Sequence, residues 1–195
     1  MDVDWFMAFS QEFIILEKAL RDLSVYVGVI LIVACLLNFI AKKRNPHKED
    51  VSLLALCVQL ACCVLLMSLD MSLGLGSSSV FGSSETAEVG DYLVDMESTD
   101  PQMAFKAALL AGASLIGRFF GFLAFINAYN AAQENNDLEK KRLRRKAINR
   151  YMAGVGFVQF PRLIRMGQES SGVDFSVTAR SELGWIVENA HVLLI

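Results

Sequence analysis

Long apolar runs, separated by short charged segments, dominate the pattern along the chain. Residues 23–41 and 51–69 each hold 19 positions without a charge. At about 1.5 Å per residue, each covers roughly the 30 Å of a bilayer's hydrocarbon core. Lys42-Lys43-Arg44 and Asn45-Pro46 separate them, so the two runs predict a helical hairpin around a basic turn. A third run, 103–129, is long enough to cross with tilt. Beyond Lys106 in its first turn, it contains a charge near its middle, Arg118. Before the first run, Phe6, Phe9, Phe13, Leu16 and Leu20 recur every three or four positions. That period predicts an amphipathic helix over 4–22, lying in the membrane interface or packed on another helix.

Two segments break the pattern. Residues 70–102 hold seven acids and no Lys or Arg. The first part, GLGSSSVFGSS, is rich in Gly and Ser and predicts a loop, and the second part has the composition of a short helix. Residues 130–150 carry Lys140, Lys141, Arg142, Arg144, Arg145, Lys146 and Arg150 without a Gly or Pro. This stretch reads as a helical continuation of the third run into water. A fourth apolar segment, 151–166, is short for a crossing and ends with Arg162 and Arg165. In the tail, 167–195, Leu183, Ile186, Val187, Ala190 and Leu194 share one helical face. The expected fold is therefore an all-α integral membrane bundle in a single domain. It has three transmembrane helices, a short fourth segment and an N-terminal interfacial helix.

Charge distribution adds an orientation. The net charge is only −3, yet 11 of the 18 Lys and Arg fall in 42–48 and 140–150. The positive-inside rule places both groups in the cytoplasm, and the N-terminus and the acidic 70–102 segment outside. The first residues, MDVDWFMAFSQEF, are acidic where a secretory signal is basic, so the first run is expected to remain in the mature chain.

Candidate chemistry is sparse. Cys35, Cys57, Cys62 and Cys63 all lie within apolar runs, no C-x-x-C pair occurs, and there are two histidines. No metal site or cofactor is expected, and the cysteines read as small apolar residues. No Ser/His/Asp set, Walker motif, GxGxxG or intramembrane protease signature occurs, so the chain does not read as an enzyme. A charge at mid-membrane costs at least about 2.5–3.5 kcal/mol on insertion scales, so Arg118 is expected to face protein or water. No acid stands at matching depth in the other uncharged runs, and Asp70 reads as lying at the outer edge. Two readings of Arg118 stand side by side: an external partner, another subunit or a lipid headgroup, and a structural arginine that snorkels or is paired within the chain. Ala113, Gly117 and Gly121 form a small-xxx-small stripe beside it, the pattern of close helix packing within or between chains. The basic cluster reads first as a topology determinant, with anionic lipid headgroups as ligands. Aromatics are nearly absent from it, so nucleic-acid base recognition is not expected.

The order of segments also carries a resemblance. Gly121-Phe122-Leu123-Ala124-Phe125-Ile126, followed after a polar stretch by Ala153-Gly154-Val155-Gly156, resembles the two motifs of the small IcmC/DotE/TraQ-type membrane subunits. These belong to Dot/Icm type IVB secretion and I-type plasmid conjugation systems. Asn127 stands where that family has arginine. The resemblance covers about residues 64–163. It implies a non-enzymatic bacterial inner-membrane subunit of a secretion or conjugation apparatus, in contact with lipid and with other subunits. The layout of 103–164, two apolar helices around a basic turn, also resembles conjugative pilins. That implies a homo-oligomeric, pilus-forming variant with bound phospholipid between subunits and the basic turn facing a lumen. A lipid-interacting or transport protein with its site at Arg118 is the third alternative.

Overall fold

The computed structural model describes residues 3–44, 53–82, 101–160 and 163. Among them the chain is all helical: α1 (Val3–Arg44), α2 (Leu53–Met67), α3 (Leu69–Phe81), α4 (Pro101–Gln133) and α5 (Asp137–Val158). Two helices are long and apolar enough to cross a membrane, over Glu12–Ala41 and Ala108–Gln133. The count becomes three if α2 and α3, which meet at 100°, form one broken span.

Several expectations change. The segments 4–22 and 23–41 are one uninterrupted helix of 42 residues, about 63 Å long, not an interfacial helix followed by a span. No helix breaker separates them, and Glu17 and Arg21 near its midpoint are paired, so nothing obliges the helix to stop. The second run does not stay straight through residue 69. Helix α2 ends at Met67, and both the amide and the hydroxyl of Ser68 donate to the Val64 carbonyl, at 3.0 and 2.9 Å. Such back-bonding competes with the regular ladder and bends helices. Residues 74–81 of the expected Gly/Ser loop are helical. The serines of α3 turn inward on their own backbone, as in Ser72 to Leu69 O, Ser78 to Leu75 O and Ser79 to Leu75 O. Gly82 ends α3 in the left-handed conformation, φ 71°, and its amide caps Ser78 O. This is the geometry glycine adopts without a Cβ clash.

The basic stretch is not an extension of the third span. Helix α4 ends at Gln133, and the chain reverses over residues 134–136. Asn136 then caps α5 by accepting from the Leu138 amide, with Asp137 and Glu139 in the first turn. Acids suit the positive end of the helix dipole there. Helix α5 folds back along α4 and absorbs both the basic cluster and the apolar residues through Val158. The tail at 167–195 and the acidic segment at 83–100 lie outside the described residues.

Close backbone approach holds the α4–α5 hairpin together. A Cβ on Gly154 would lie 2.8 Å from the Gly117 carbonyl oxygen and 3.0 Å from the Gly121 amide nitrogen. Phe120 and Phe157 stack at 5.9 Å, and Phe125 meets Tyr151 edge-on at 5.7 Å. Tyr151 donates to the Ser72 carbonyl at 2.6 Å, tying α5 to α3. The core unites Leu66 of α2, Leu69 and Leu73 of α3, Phe122 and Phe125 of α4, and Val155 and Val158 of α5. Contacts between α1 and α4 show that they run parallel. Phe13 lies against Gly112, Glu17 meets Arg118, and Tyr129 bonds to the Leu31 carbonyl at 3.4 Å. The C-terminal end of α1, with Lys43 and Arg44, is therefore at the same end of the bundle as the start of α5.

Two measurements check this packing. Replacing Gly154 with Ala overpacks the hairpin and is expected to cost about 1–3 kcal/mol. Gly156→Ala, where nothing lies within 4 Å of the new Cβ, is expected to be neutral or to stabilise by up to about 1 kcal/mol. Thermal unfolding in detergent separates the two, and equal effects would contradict the hairpin. Cys57 is exposed whereas Cys35, Cys62 and Cys63 are buried. A small apolar maleimide should thus modify one thiol in the folded protein and four after denaturation in SDS. Rapid labelling of more than one thiol under native conditions would contradict the burial.

Candidate functional site: a buried charge quartet

The side chain that the sequence marks most strongly, Arg118, is 1% exposed. Its partners are inside the chain. Nε donates to Asp70 Oδ1 at 2.7 Å, Nη2 pairs with Glu17 Oε1 at 3.1 Å, and Nη1 donates to Ser114 Oγ one turn earlier on α4. Arg21, one turn after Glu17 on α1, pairs with Glu17 Oε1 at 3.3 Å and with Asp70 Oδ2 at 2.9 Å. Each arginine thus touches both acids, and the four formal charges cancel in a closed ring across α1, α3 and α4.

Local sequence places each member. Glu17 and Arg21 share a face of α1 at i,i+4. Ser24 closes that turn by donating to the Arg21 carbonyl at 2.7 Å. Asp70 lies in the first turn of α3, where the helix dipole favours a negative side chain. The 100° bend between α2 and α3 comes immediately before that turn. Burial is graded. Glu17 is 6% exposed, the Asp70 side chain 29% and the Arg21 side chain 43%. Arg118 and Glu17 form the dry side of the ring, and Arg21 its opening to the surroundings.

This corrects two expectations. Arg118 does have acids at its own depth, and Asp70 does not lie at an outer edge away from it. The argument for an external partner therefore fails. The glycine stripe is likewise engaged within the chain. Gly117 and Gly121 meet Gly154, Gly121 also meets Leu69 and Leu73, and Ala113 is buried. The signal that points to the ring is the Glu17/Arg21 pair at i,i+4, within the segment expected as a separate amphipathic helix.

A second polar cluster sits nearer the basic end. The Cys35 thiol donates to Gln59 Oε1 at 3.1 Å, and Gln133 Nε2 donates to the Tyr129 hydroxyl at 2.9 Å. Cys62 and Cys63 pack beside Cys35 and Tyr129. Among the described residues no group of three or more His, Cys, Asp or Glu is placed to hold a metal. The Asn127 amide nitrogen is buried with no hydrogen-bond partner among the described residues. The basic cluster divides by helical face. Lys141, Arg142, Arg145 and Lys146 are exposed on the outer side, with Arg142 paired to Glu139 at 3.2 Å. Half-buried Lys140 and exposed Arg144 line a groove against α2 and α4, and Arg150 is half-buried.

Removing one member of a buried ion pair leaves its partner uncompensated, at about 3–5 kcal/mol. Arg118→Met is expected to lose that much in unfolding titrations with SDS in mixed micelles, and Glu17→Gln in the same chain to restore part of it. Arg142→Met, at an exposed pair, is expected to change stability by less than about 1 kcal/mol. Similar losses from Arg118→Met and Arg142→Met would refute the buried quartet.

No family model, curated protein or solved structure matches this chain.

Proposed function

We propose that this protein is a non-enzymatic, membrane-embedded structural subunit. On the resemblance over residues 64–163, the assembly it serves is a bacterial type IVB-like secretion or conjugative transfer apparatus in the inner membrane. The observation that carries the structural reading is the outer face of α1. Leu23, Tyr26, Ile30, Val33, Leu37 and Ile40 are all exposed. They follow one another at alternating three- and four-residue steps, the spacing of a helix-packing seam. The inner face of the same helix is occupied by the quartet and by Cys35. Helix α1 is thus fixed from one side and free to take lipid or a neighbouring subunit's helix on the other.

The parallel arrangement of α1 and α4 supports the orientation. It gathers Lys43, Arg44 and the start of α5 at one end, which the positive-inside rule assigns to the cytoplasm, with the N-terminus outside. The pilin-like variant has less support. The faces it needs for polymerising, the glycine stripe and Arg118, are already covered by α1, α3 and α5 of the same chain. A transport site at Arg118 has less support for the same reason.

Mild detergent extracts are expected to carry the protein in a complex several times its own mass of 21.6 kDa, measured by size-exclusion chromatography with light scattering. Paired substitutions on the outer α1 face, Ile30→Ser with Leu37→Ser, are expected to release it as a smaller, folded particle. A monomer in native extracts, with secretion or DNA transfer unchanged by deletion of the gene, would refute the reading.

A further inference from the structure

Where α2 begins, α4 ends and α5 turns back, the bundle leaves an open groove of about 280 Å³. Its walls are almost wholly apolar, including Leu54, Val58, Ala132 and Ile148, and two cations, Lys140 and Arg144, stand on its lining. Leu54, Val58 and Ile148 are exposed along its rim, so the groove opens sideways, toward the surroundings of the bundle. Among the described residues neither Lys140 nor Arg144 makes an ion pair, whereas Arg142 on the outer face does.

Spacing along α5 explains the arrangement. Positions 140, 144, 147, 148, 151, 154, 155 and 158 follow the i,i+4,i+7 rhythm of one helical face. From Tyr151 onward that face packs on α3 and α4 through Tyr151, Gly154, Val155 and Val158. Its first two turns carry Lys140 and Arg144 instead. They lie opposite small residues of α4, Ala128, Ala131 and Ala132, which leave the space unfilled. A cation pair at the polar end of an apolar slot, at the basic end of a membrane bundle, matches one kind of molecule. Its charge is anionic and its body is hydrocarbon.

We propose that this groove binds an anionic phospholipid of the leaflet at the basic end. An acyl chain lies between α2 and α4, and the headgroup phosphate is held by Lys140 and Arg144. Arg presents a planar donor fork to phosphate oxygens and Lys a point charge. The exposed Lys141, Arg142, Arg145 and Lys146 raise the local concentration of anionic lipid without defining a site. The inference rests on the membrane reading and is independent of which assembly the protein joins.

Native mass spectrometry of the isolated full chain in detergent, titrated with dioleoyl phosphatidylglycerol or dioleoyl phosphatidylcholine, tests it. The wild type is expected to retain the anionic lipid on the order of ten- to thirtyfold more strongly, as two cations near a membrane surface supply. Lys140→Gln with Arg144→Gln is expected to abolish that preference, and Arg142→Gln with Arg145→Gln and Lys146→Gln to keep most of it. Ala132→Leu, which fills the groove and leaves the charges in place, is expected to weaken retention severalfold. Helical content by circular dichroism identifies any variant that fails to fold, and the comparison of the two lipids on the wild type stands without variants. Equal retention of the two lipids by the wild type would overturn the proposal. So would a loss from the outer-face variant as large as from the groove variant, which would mark a diffuse electrostatic surface. A protein that partitions into membranes and assembles normally but shows no lipid preference defeats this inference alone.

Discussion

A guanidinium that cannot reach water sets the constraints in this molecule. Arg118 lies 1% exposed within a helix otherwise fit for hydrocarbon, and a single charge there must be neutralised and hydrogen-bonded or the helix does not insert stably. Its three nitrogens reach Asp70, Glu17 and Ser114. Meeting that demand fixes the rest of the bundle. Helix α1 must run parallel to α4 with Glu17 at the level of Arg118. The chain must also turn sharply after α2, so that the first turn of α3 delivers Asp70. Arg21 completes the ring and brings the net charge to zero. Buried ion pairs are weak sources of stability compared with well-packed apolar groups. Their contribution here is register, because few arrangements of three helices bring these four side chains within contact.

Around that point the packing is of two kinds. On the side of α5, glycines bring backbones together: Gly154 seats against Gly117 and Gly121, so the hairpin gains its contacts from dispersion and shape. On the side of α1, the approach is again close at Gly28, which faces Met67 and the Cys63 carbonyl next to the bend. Helix α4 is therefore held on one face by charge and on another by backbone contact. Among the described residues, the outer face of α1 and the alanine-lined groove at the basic end are two of the apolar surfaces left exposed.

Much of this was legible in the amino-acid order, and the failures have physical causes. The long apolar runs gave helices, Arg118 was recognised as needing protein around it, and the glycine stripe as a packing face. Its partners were missed because an uncharged run was taken to define a span. A paired charge is compatible with a buried position, so Glu17 and Arg21 lie on the same continuous helix as the uncharged stretch. The kink at Ser68 has no proline or glycine to announce it, and the serine back-bond found there also occurs at Ser79 inside unbroken α3. Composition misled at 74–81, where Gly76 on the packed side of a helix makes room for Tyr151 instead of forming a loop. The start of α5 was encoded, in Asn136 followed by Asp137 and Glu139. The run of cations after it drew the reading toward one continuous helix.

The account stands or falls on what the Arg118 guanidinium touches in a bilayer. Solid-state NMR of protein reconstituted in lipid, with nitrogen-labelled arginine and carbon-labelled aspartate and glutamate, measures those contacts through dipolar dephasing. A buried quartet predicts two strongly dephased guanidiniums, Arg118 with carboxylate contacts of 2.7 and 3.1 Å and Arg21 with contacts of 2.9 and 3.3 Å. In Arg118→Met the first signal should vanish and the second remain. Dephasing of Arg118 by lipid phosphorus, with no carboxylate in range, would show the charge turned outward to the membrane surface and would contradict it.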